Sequence, residues 1–569
     1  MIVNLLIWIY IFITTYTVGR GALSFFDRKD DKSFPEKYRF EDVSIFGIMI
    51  VTVFAEIWSL FSGVSLAANI TLIACCVMIC ICFGTKKKKI FFMPHMNMQA
   101  SVFYTVVFIA ALFMAYGASR GYFHYDSDLY HGQSIHWIES YGVVPGLGNL
   151  HGRHGYNSSS FALTALYSFS FLGGRSYHSC AGYLAFMVLV SVFRSYRIFT
   201  DKKIRLSDLA RLSAFYYICN IYDEMVSPAS DYFTMLIFMY IIIRVLDGAE
   251  KEGSCGADFY AAAALLSVFA ATIKLSAGLT VIVVLIPLVM MLKEKSFSKL
   301  GLCCASVLAI SLPFFIRNYI ISGWLLYPST FPDIFSPDWK TPAEAAIADK
   351  AYIVAFGRGY SHMGASQMPF SEWFPHWYSL LGRTDKVLFL AGIAGLVLWG
   401  LTVTAGIFTG YYKTEKEEKI VRETAVFTVA LSYGFWLMSS PLVRYGQGYL
   451  IMLPVLTFGY LFLRIYEKSK KYKKHMFIVC AGMLCLFFAY KGIMMGRYAW
   501  SVRGYEYYVQ PEDYGEYEVY PVHLGKLTVY APVSGDRTGY YMFPTCAGEP
   551  TGFKLRDPEA EDFSGGFRP

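Results

Sequence analysis

Two aspartates separated by one residue stand directly after an apolar run, in Tyr125-Asp126-Ser127-Asp128-Leu129-Tyr130-His131. Carboxylates at the mouth of a membrane helix are costly to bury and need a partner or a purpose. A positioned carboxylate can take the proton from an attacking hydroxyl. Asp-x-Asp also suits a hard divalent cation, and it suits an ordinary helix N-cap beside a solvated neighbour. Next, Gln133 to Tyr141 reads as a short amphipathic helix ending at Gly142-Val143-Val144-Pro145. A tract follows that sets His151, Arg153, His154 and Asn157 among glycines, before another apolar stretch. Arg153 carries the planar, always charged fork that holds phosphate, although a structured loop would use the same residue types.

More polar residues punctuate the later apolar runs. Asp223-Glu224 precedes Ser230-Asp231, where either residue of the latter pair would also cap a helix. Lys274 ends an apolar run and would neutralise a lipid phosphate or snorkel. Arg317-Asn318 closes another run, with Gly323 and Tyr327-Pro328 beyond it. Pro441 introduces Arg444-Tyr445.

The elements that must position these groups are membrane helices. Only 16% of the 569 residues are charged, against roughly a quarter in soluble domains. Many apolar runs reach the about 20 residues that a bilayer core requires. Spans are predicted at about 1–18, 43–61, 65–84, 101–118, 176–193, 206–222, 232–247, 257–273, 276–292, 300–316, 386–408, 423–439, 448–464 and 476–494. The expected fold class is therefore an all-α polytopic membrane protein with about fourteen transmembrane helices. Its transmembrane domain is 1–494, with 495–569 as a small tail domain in which Leu527-Thr528-Val529-Tyr530 suggests short strands. The first run lacks a basic leader and reads as a span, not a cleaved signal peptide. The twelve cysteines form no CxxC pair and read as small hydrophobes packed in the bundle.

Basic runs such as Lys86–Lys89 and Lys468–Lys474 beside apolar spans mark cytoplasmic helix ends, and no nucleic-acid partner is expected. Arg20, Arg28, Lys29, Lys32, Lys37, Arg39, Arg194, Arg197, Lys202, Lys203, Arg205, Lys293, Lys295, Lys299, Lys413, Lys416 and Lys419 fit the same side. The scheme is consistent if the apolar segment Ser158–Leu172 does not cross but lies in the interface or dips in and returns. It puts both termini outside a plasma (inner) membrane. The outer face then receives 119–175, 223–231, the turn near Lys274, the long loop 317–385, 440–447 and the tail. Arg444 breaks the inward bias of positive charge. Trp373 and Trp377 in the long loop suit stacking on sugar faces or anchoring the loop in the interface.

The order of these features resembles the GT-C membrane glycosyltransferases, in particular enzymes that use polyprenyl-phosphate sugars, such as aminoarabinose transferase and protein mannosyltransferases. The resemblance spans roughly residues 100–450 and rests on Asp126, Tyr130, Trp137, Gly142 and Pro145, with Asp231, Lys274, Arg317 and Arg444 in order behind them. It implies a GT-C-like fold with juxtamembrane helices in the catalytic loop 119–175. It also implies a lipid-linked sugar donor and a glycan, lipid or protein acceptor. Asp126 would be the catalytic base with Asp128 assisting. Substrate would be bound by Tyr130, His131, Arg153, His154, Asn157, Asp231, Lys274, Arg317, Arg444 and Tyr445. Attack opposite the departing phosphate implies inversion at the sugar. This chain departs from the pattern in having three spans before the one leading into the acidic loop, and Asp-x-Asp in place of Asp-Glu. The exact base therefore stays open, as does a divalent cation held by Asp126 and Asp128. Residues 142–160 and Gly565-Gly566-Phe567-Arg568 also resemble a group of uncharacterised bacterial multispan proteins.

Three other roles fit part of the pattern. A transporter or flippase of lipid-linked saccharides would carry paired repeats and broken helices at the midplane, and no repeat is visible. A polymerase of lipid-linked saccharides would share the donor. A non-catalytic assembly scaffold would tolerate loss of Asp126.

Overall fold

A computed structural model describes residues 1–26, 34–85, 89–90, 97–121, 123–251, 255–409, 416–469, 471–546 and 552–569. The basic positions Arg28, Lys29, Lys32, Lys86 to Lys88 and Lys413 lie outside the described residues.

Each predicted span coincides with a helix or a pair of stacked helical segments. Among the described residues, ten helices are long and apolar enough to cross a membrane. They are Ile2–Phe25, Leu66–Thr85, Met98–Gly117, Cys180–Asp201, Ser230–Ala249, Leu275–Lys293, Phe297–Ser322, Arg383–Phe408, Val443–Lys468 and Lys473–Ser501. The other predicted spans are helical but less decisive. Leu206–Asn220 and Ala257–Ile273 have 15 and 17 residues, at the short end of what a bilayer core needs. Phe40–Ser59 carries Glu41, Asp42 and Glu56, and Lys416–Ser439 opens on charged residues. The architecture is thus an all-helical, multi-pass bundle. Ser159–Leu166 is a buried helix of 8 residues. At 1.5 Å per residue it is far too short to cross a core of about 30 Å.

The bundle is built around Ser230–Ala249, whose apolar window is wholly enclosed. Between Asp231 and Arg244 it is almost wholly apolar on every side, as a helix without a solvent face must be. Leu206–Asn220, Ala257–Ile273, Lys416–Ser439 and Val443–Lys468 pack around it. At the edge, Ile2–Phe26 lies along Phe40–Ser59. A Cβ on Gly47 would fall 1.8 Å from the Thr15 carbonyl oxygen. The missing side chain lets the two backbones touch, as small residues do between membrane helices.

The two ends of the bundle are polar in different ways. At one end, arginines are neutralised by buried carboxylates. Arg194 pairs with Glu41 at 2.9 Å, Arg197 with Asp208 at 2.8 Å and Asp247 at 2.9 Å, and Arg244 with Asp42 at 3.2 Å. Arg211, fully buried, also meets Asp247. Arg194 and Arg197 are therefore internal ties between helices as well as positive charges.

The other end carries the tail. The Lys473–Ser501 helix runs past the predicted span. Beyond it, strands β1 (Val519–Leu524) and β2 (Leu527–Pro532) form an antiparallel hairpin, and β3 (Lys554–Leu555) pairs with β4 (Phe567–Arg568). The tail is not a free-standing cap. Val529, Ala531, Phe553, Leu555, Phe563 and Phe567 share one apolar cluster with Trp137, Val144, Leu147 and Leu150. All twelve cysteines are free.

Candidate functional site

After Met98–Gly117 the chain turns through His124 and enters a short π-helical segment, Ser127–His131, continued by the helix Gly132–Ser140. Such wide turns re-aim side chains and recur at functional sites. Here the segment sends its two aspartates to different partners.

Asp126 faces the bundle. Its Oδ2 accepts from Nη2 of Arg444 at 2.9 Å. The same guanidinium sets Nη1 3.0 Å from Nδ1 of His124 and Nε 3.1 Å from Oδ2 of Asp231. Asp231 in turn receives the Lys274 ammonium, which lies 3.7 Å from the centroid of the Tyr445 ring. Helix geometry sets this convergence. Asp231 and Arg444 sit in the first turns of Ser230–Ala249 and Val443–Lys468, and Lys274 follows the last turn of Ala257–Ile273. Burial pushes the Asp126 carboxyl upward. The Arg444 guanidinium and its hydrogen bond outweigh that, and the group lies below its ordinary value. Burial, reinforced by Arg444, lowers the His124 imidazole.

Asp128 faces the tail. Its carboxylate accepts from the Gly515 amide at 3.0 Å and the Tyr517 hydroxyl at 2.9 Å. Its carbonyl accepts from the Thr538 and Gly539 amides at 3.1 and 2.9 Å. Burial raises its pKa, partly offset by the Gly515 and Tyr517 bonds. Asp128 is therefore a docking residue for the tail and does not line either cavity of the site. Nor do Asp126 and Asp128 offer a cation a joint set of oxygens, since each is committed to different partners. Among the described residues no three His, Cys, Asp or Glu side chains gather as metal ligands.

Two cavities meet at Asp126. The first, about 310 Å³, is lined by Asp126, Tyr130, Arg153, Tyr156, Asn157, Asp231, Lys274, Asn318, Arg444 and Tyr445. The rest of its wall combines an apolar side, with Phe161, Ile273, Leu275, Phe314, Phe435 and Trp436, and a polar one, with Ser158, Thr272, Ser276, Ser439, Ser440 and Lys350. The second, about 600 Å³, is lined by His124, Tyr125, Asp126, Arg153, Tyr352, Phe356, Trp377, Asp385, Arg444 and Asp536, among others. Both volumes fall in the range of small-molecule sites. Asp126, Arg153, Ile353, Arg444 and Tyr445 belong to both.

Arg153 differs from Arg444 and Lys274. Arg444 and Lys274 are paired with carboxylates, but the Arg153 guanidinium makes no hydrogen bond or ion pair among the described residues. The Tyr130 and Tyr352 rings lie 5.9 Å from it, and the Asp126 and Asp349 carboxylates act on it through space. Its backbone is set by the amide bond to Nδ1 of His151 at 3.1 Å. It is a cation held ready in a cavity.

Three expected substrate-binding residues lie behind the cavity wall. His131 packs against Phe161, ring centroids 5.3 Å apart, and burial lowers its pKa to about 3. His154 is buried against the Ser134 hydroxyl, 2.9 Å away. Arg317 is buried and donates to Oδ1 of Asn157 at 2.9 Å and to Ser59, so it supports Asn157 without reaching the cavity. The tryptophans of loop 317–385 act as anchors. Trp373 and Trp377 are 1% and 3% exposed, and Trp377 donates to the Pro441 carbonyl at 2.7 Å. Trp377 also borders the second cavity.

The sequence did not single out several other residues of the site as ligands. His124 stands two residues before Asp126 and was close enough to the acidic motif to be suspected. Tyr156 and Tyr327 both donate to Asp349, closing one side of the first cavity. Asp385 and Asp536 come from a helix start and from the tail, and no motif marks either one.

A protein family described as "Domain of unknown function (DUF8201)" matches residues 1–451, which include every cavity residue named above except Asp536. No curated protein and no solved structure matches this chain.

Proposed function

We propose that this chain, which belongs to the DUF8201 family, is a membrane glycosyltransferase. It moves a sugar from a polyprenyl-phosphate carrier to an envelope acceptor. The bundle would cross the plasma membrane about fourteen times, with both termini and the site end outside the cytosol.

One observation carries this reading: Asp126 and Arg153 stand at the junction of a cavity with an apolar wall and a second, more polar cavity. A prenyl chain needs an apolar path, and the wall of Ile273, Leu275, Phe314 and Phe435 supplies one. The phosphate needs cations, and Arg153, Lys274 and Arg444 border the same space. The acceptor approaches Asp126 from the second cavity.

The acceptor hydroxyl passes its proton to Asp126 while its oxygen bonds to the anomeric carbon. The bond from that carbon to the phosphate oxygen breaks, and the electron pair leaves with the phosphate. Attack comes from the face opposite the leaving group, so the anomeric configuration inverts. Preorganised cations stabilise the charge that grows on the phosphate. An incoming phosphate would also compete with Asp126 for Arg444, and losing that partner makes the carboxylate a stronger base.

The test is Asp126→Asn in cells that make the protein, read by mass analysis of envelope glycans. The expected outcome is loss of one sugar from an otherwise intact glycan, with the variant present at normal levels. Unchanged glycan at normal expression would overturn the assignment. Accumulation of an unmodified lipid-linked saccharide on the cytosolic leaflet would instead indicate a transporter.

A further inference from the structure

Resting on the glycosyltransferase reading, we infer that the acceptor is itself a saccharide, and that the tail completes its binding site through Asp536. The second cavity pairs carboxylates with aromatic rings. Asp385 and Asp536 border it and form no ion pair among the described residues. The exposed rings of Tyr125, Tyr352 and Phe356 line it alongside them. Carboxylates accept hydrogen bonds from vicinal hydroxyls, and ring faces pack against the C–H faces of pyranoses. A cationic acceptor would satisfy Asp385 and Asp536 too, but it would meet the Arg153 and Arg444 guanidiniums in the same space. A neutral polyol suits both sets of charges, because its hydroxyls donate to carboxylates and accept from guanidiniums.

The tail wall is held firmly. Tyr125 donates to Asp536. The Arg537 guanidinium sits between two rings, 4.6 Å from Tyr125 and 4.9 Å from Tyr517. Thr538 and Gly539 bond to the Asp128 carbonyl, two residues from the proposed base. The segment that carries Asp126 and the segment that carries Asp536 are thus one unit. Asp536 is a specificity-determining residue for the acceptor and takes no part in binding the donor phosphate.

The experiment uses the purified full-length protein in lipid nanodiscs. One arm measures retention on an array of immobilised mono- and oligosaccharides. The second titrates undecaprenyl phosphate and follows tryptophan fluorescence, because Trp436 lines the first cavity. The third titrates spermidine as a cationic probe. Wild type is expected to bind a subset of saccharides, and Asp536→Asn and Asp385→Asn to weaken those saccharides at least tenfold. Neither change should move the undecaprenyl phosphate curve more than twofold. Phe356→Leu, which leaves the tail contact alone, should weaken the same saccharides and so separates binding from misfolding. No saccharide retained by wild type, equal retention by the variants, or spermidine binding without saccharide binding would each overturn the inference. Saccharide binding with no response to undecaprenyl phosphate would leave the inference standing and remove the lipid-phosphate donor.

Discussion

Arg444 and Asp126 lie 318 residues apart in the chain and meet at 2.9 Å. That ion pair joins the loop after Met98–Gly117 to the first turn of Val443–Lys468, and the same guanidinium reaches Asp231. The arginine thus holds two carboxylates from two further elements at the mouth of the bundle.

Arg444→Met should abolish transfer and destabilise the site end by on the order of 3 kcal/mol, because it strands the partly buried Asp126 carboxylate and leaves Asp231 with Lys274 alone. Arg444→Lys keeps the charge but not the fork. One ammonium cannot serve Asp126, His124 and Asp231 together. We expect intermediate stability and a loss of turnover far larger than the loss of stability. Thermal unfolding in detergent and glycan transfer, measured on the same preparations, check both parts.

Asp128→Ala should loosen the part of the tail around Gly515 and Tyr517 while leaving the bundle folded. It removes two hydrogen bonds to a carboxylate, each contributing about 1.5–3 kcal/mol, from Gly515 and Tyr517. Limited proteolysis should cut between residues 513 and 540 more than tenfold faster than in wild type, with the transmembrane helices left protected. Cleavage at the wild-type rate would mean that the tail is held elsewhere.

Gly566→Ala tests the clamp between the tail and the turn at Pro145. Gly566 has φ +83°, and a Cβ there would lie 2.0 Å from the Pro145 carbonyl oxygen. The Phe567 amide donates to that same oxygen at 2.9 Å. Left-handed strain costs about 1–2 kcal/mol, and the collision adds to it. The β3–β4 pair should loosen, visible as faster amide exchange in residues 563–568 and in 142–147.

Glu139 gives a pH signature. It is buried, accepts from Ser176 at 3.0 Å and from Tyr540 of the tail, and burial raises its pKa to about 7. Between its ordinary value of 4.5 and about 7 the folded protein keeps a proton that the unfolded chain releases. Stability therefore falls as pH rises through that window, by a few kcal/mol, and is flat above it. Glu139→Gln should flatten this slope in melting curves recorded from pH 4.5 to 8. A variant with the wild-type slope would refute the assignment.

What the sequence determined alone is that its long apolar runs are helices. Their signal is local: an apolar run of sufficient length must hydrogen-bond its own backbone in a bilayer, whatever surrounds it. Hence the apolar runs became helices, and Leu527-Thr528-Val529-Tyr530 a strand. Asp126, Arg153, Lys274 and Arg444 were also legible, because a charge beside an apolar run is conspicuous in any context. Tertiary structure alone decided which charges are paired and which face a cavity. Asp126 and Asp128 are two residues apart, yet a π-helical turn sends one to Arg444 and the other to Tyr517. His131, His154 and Arg317 looked like ligands by type but lie behind the wall, since their direction depends on helix rotation and packing. Asp536 and Asp385 were invisible because nothing near them in sequence hints at a cavity. That cavity exists only where the tail, loop 317–385 and the bundle meet.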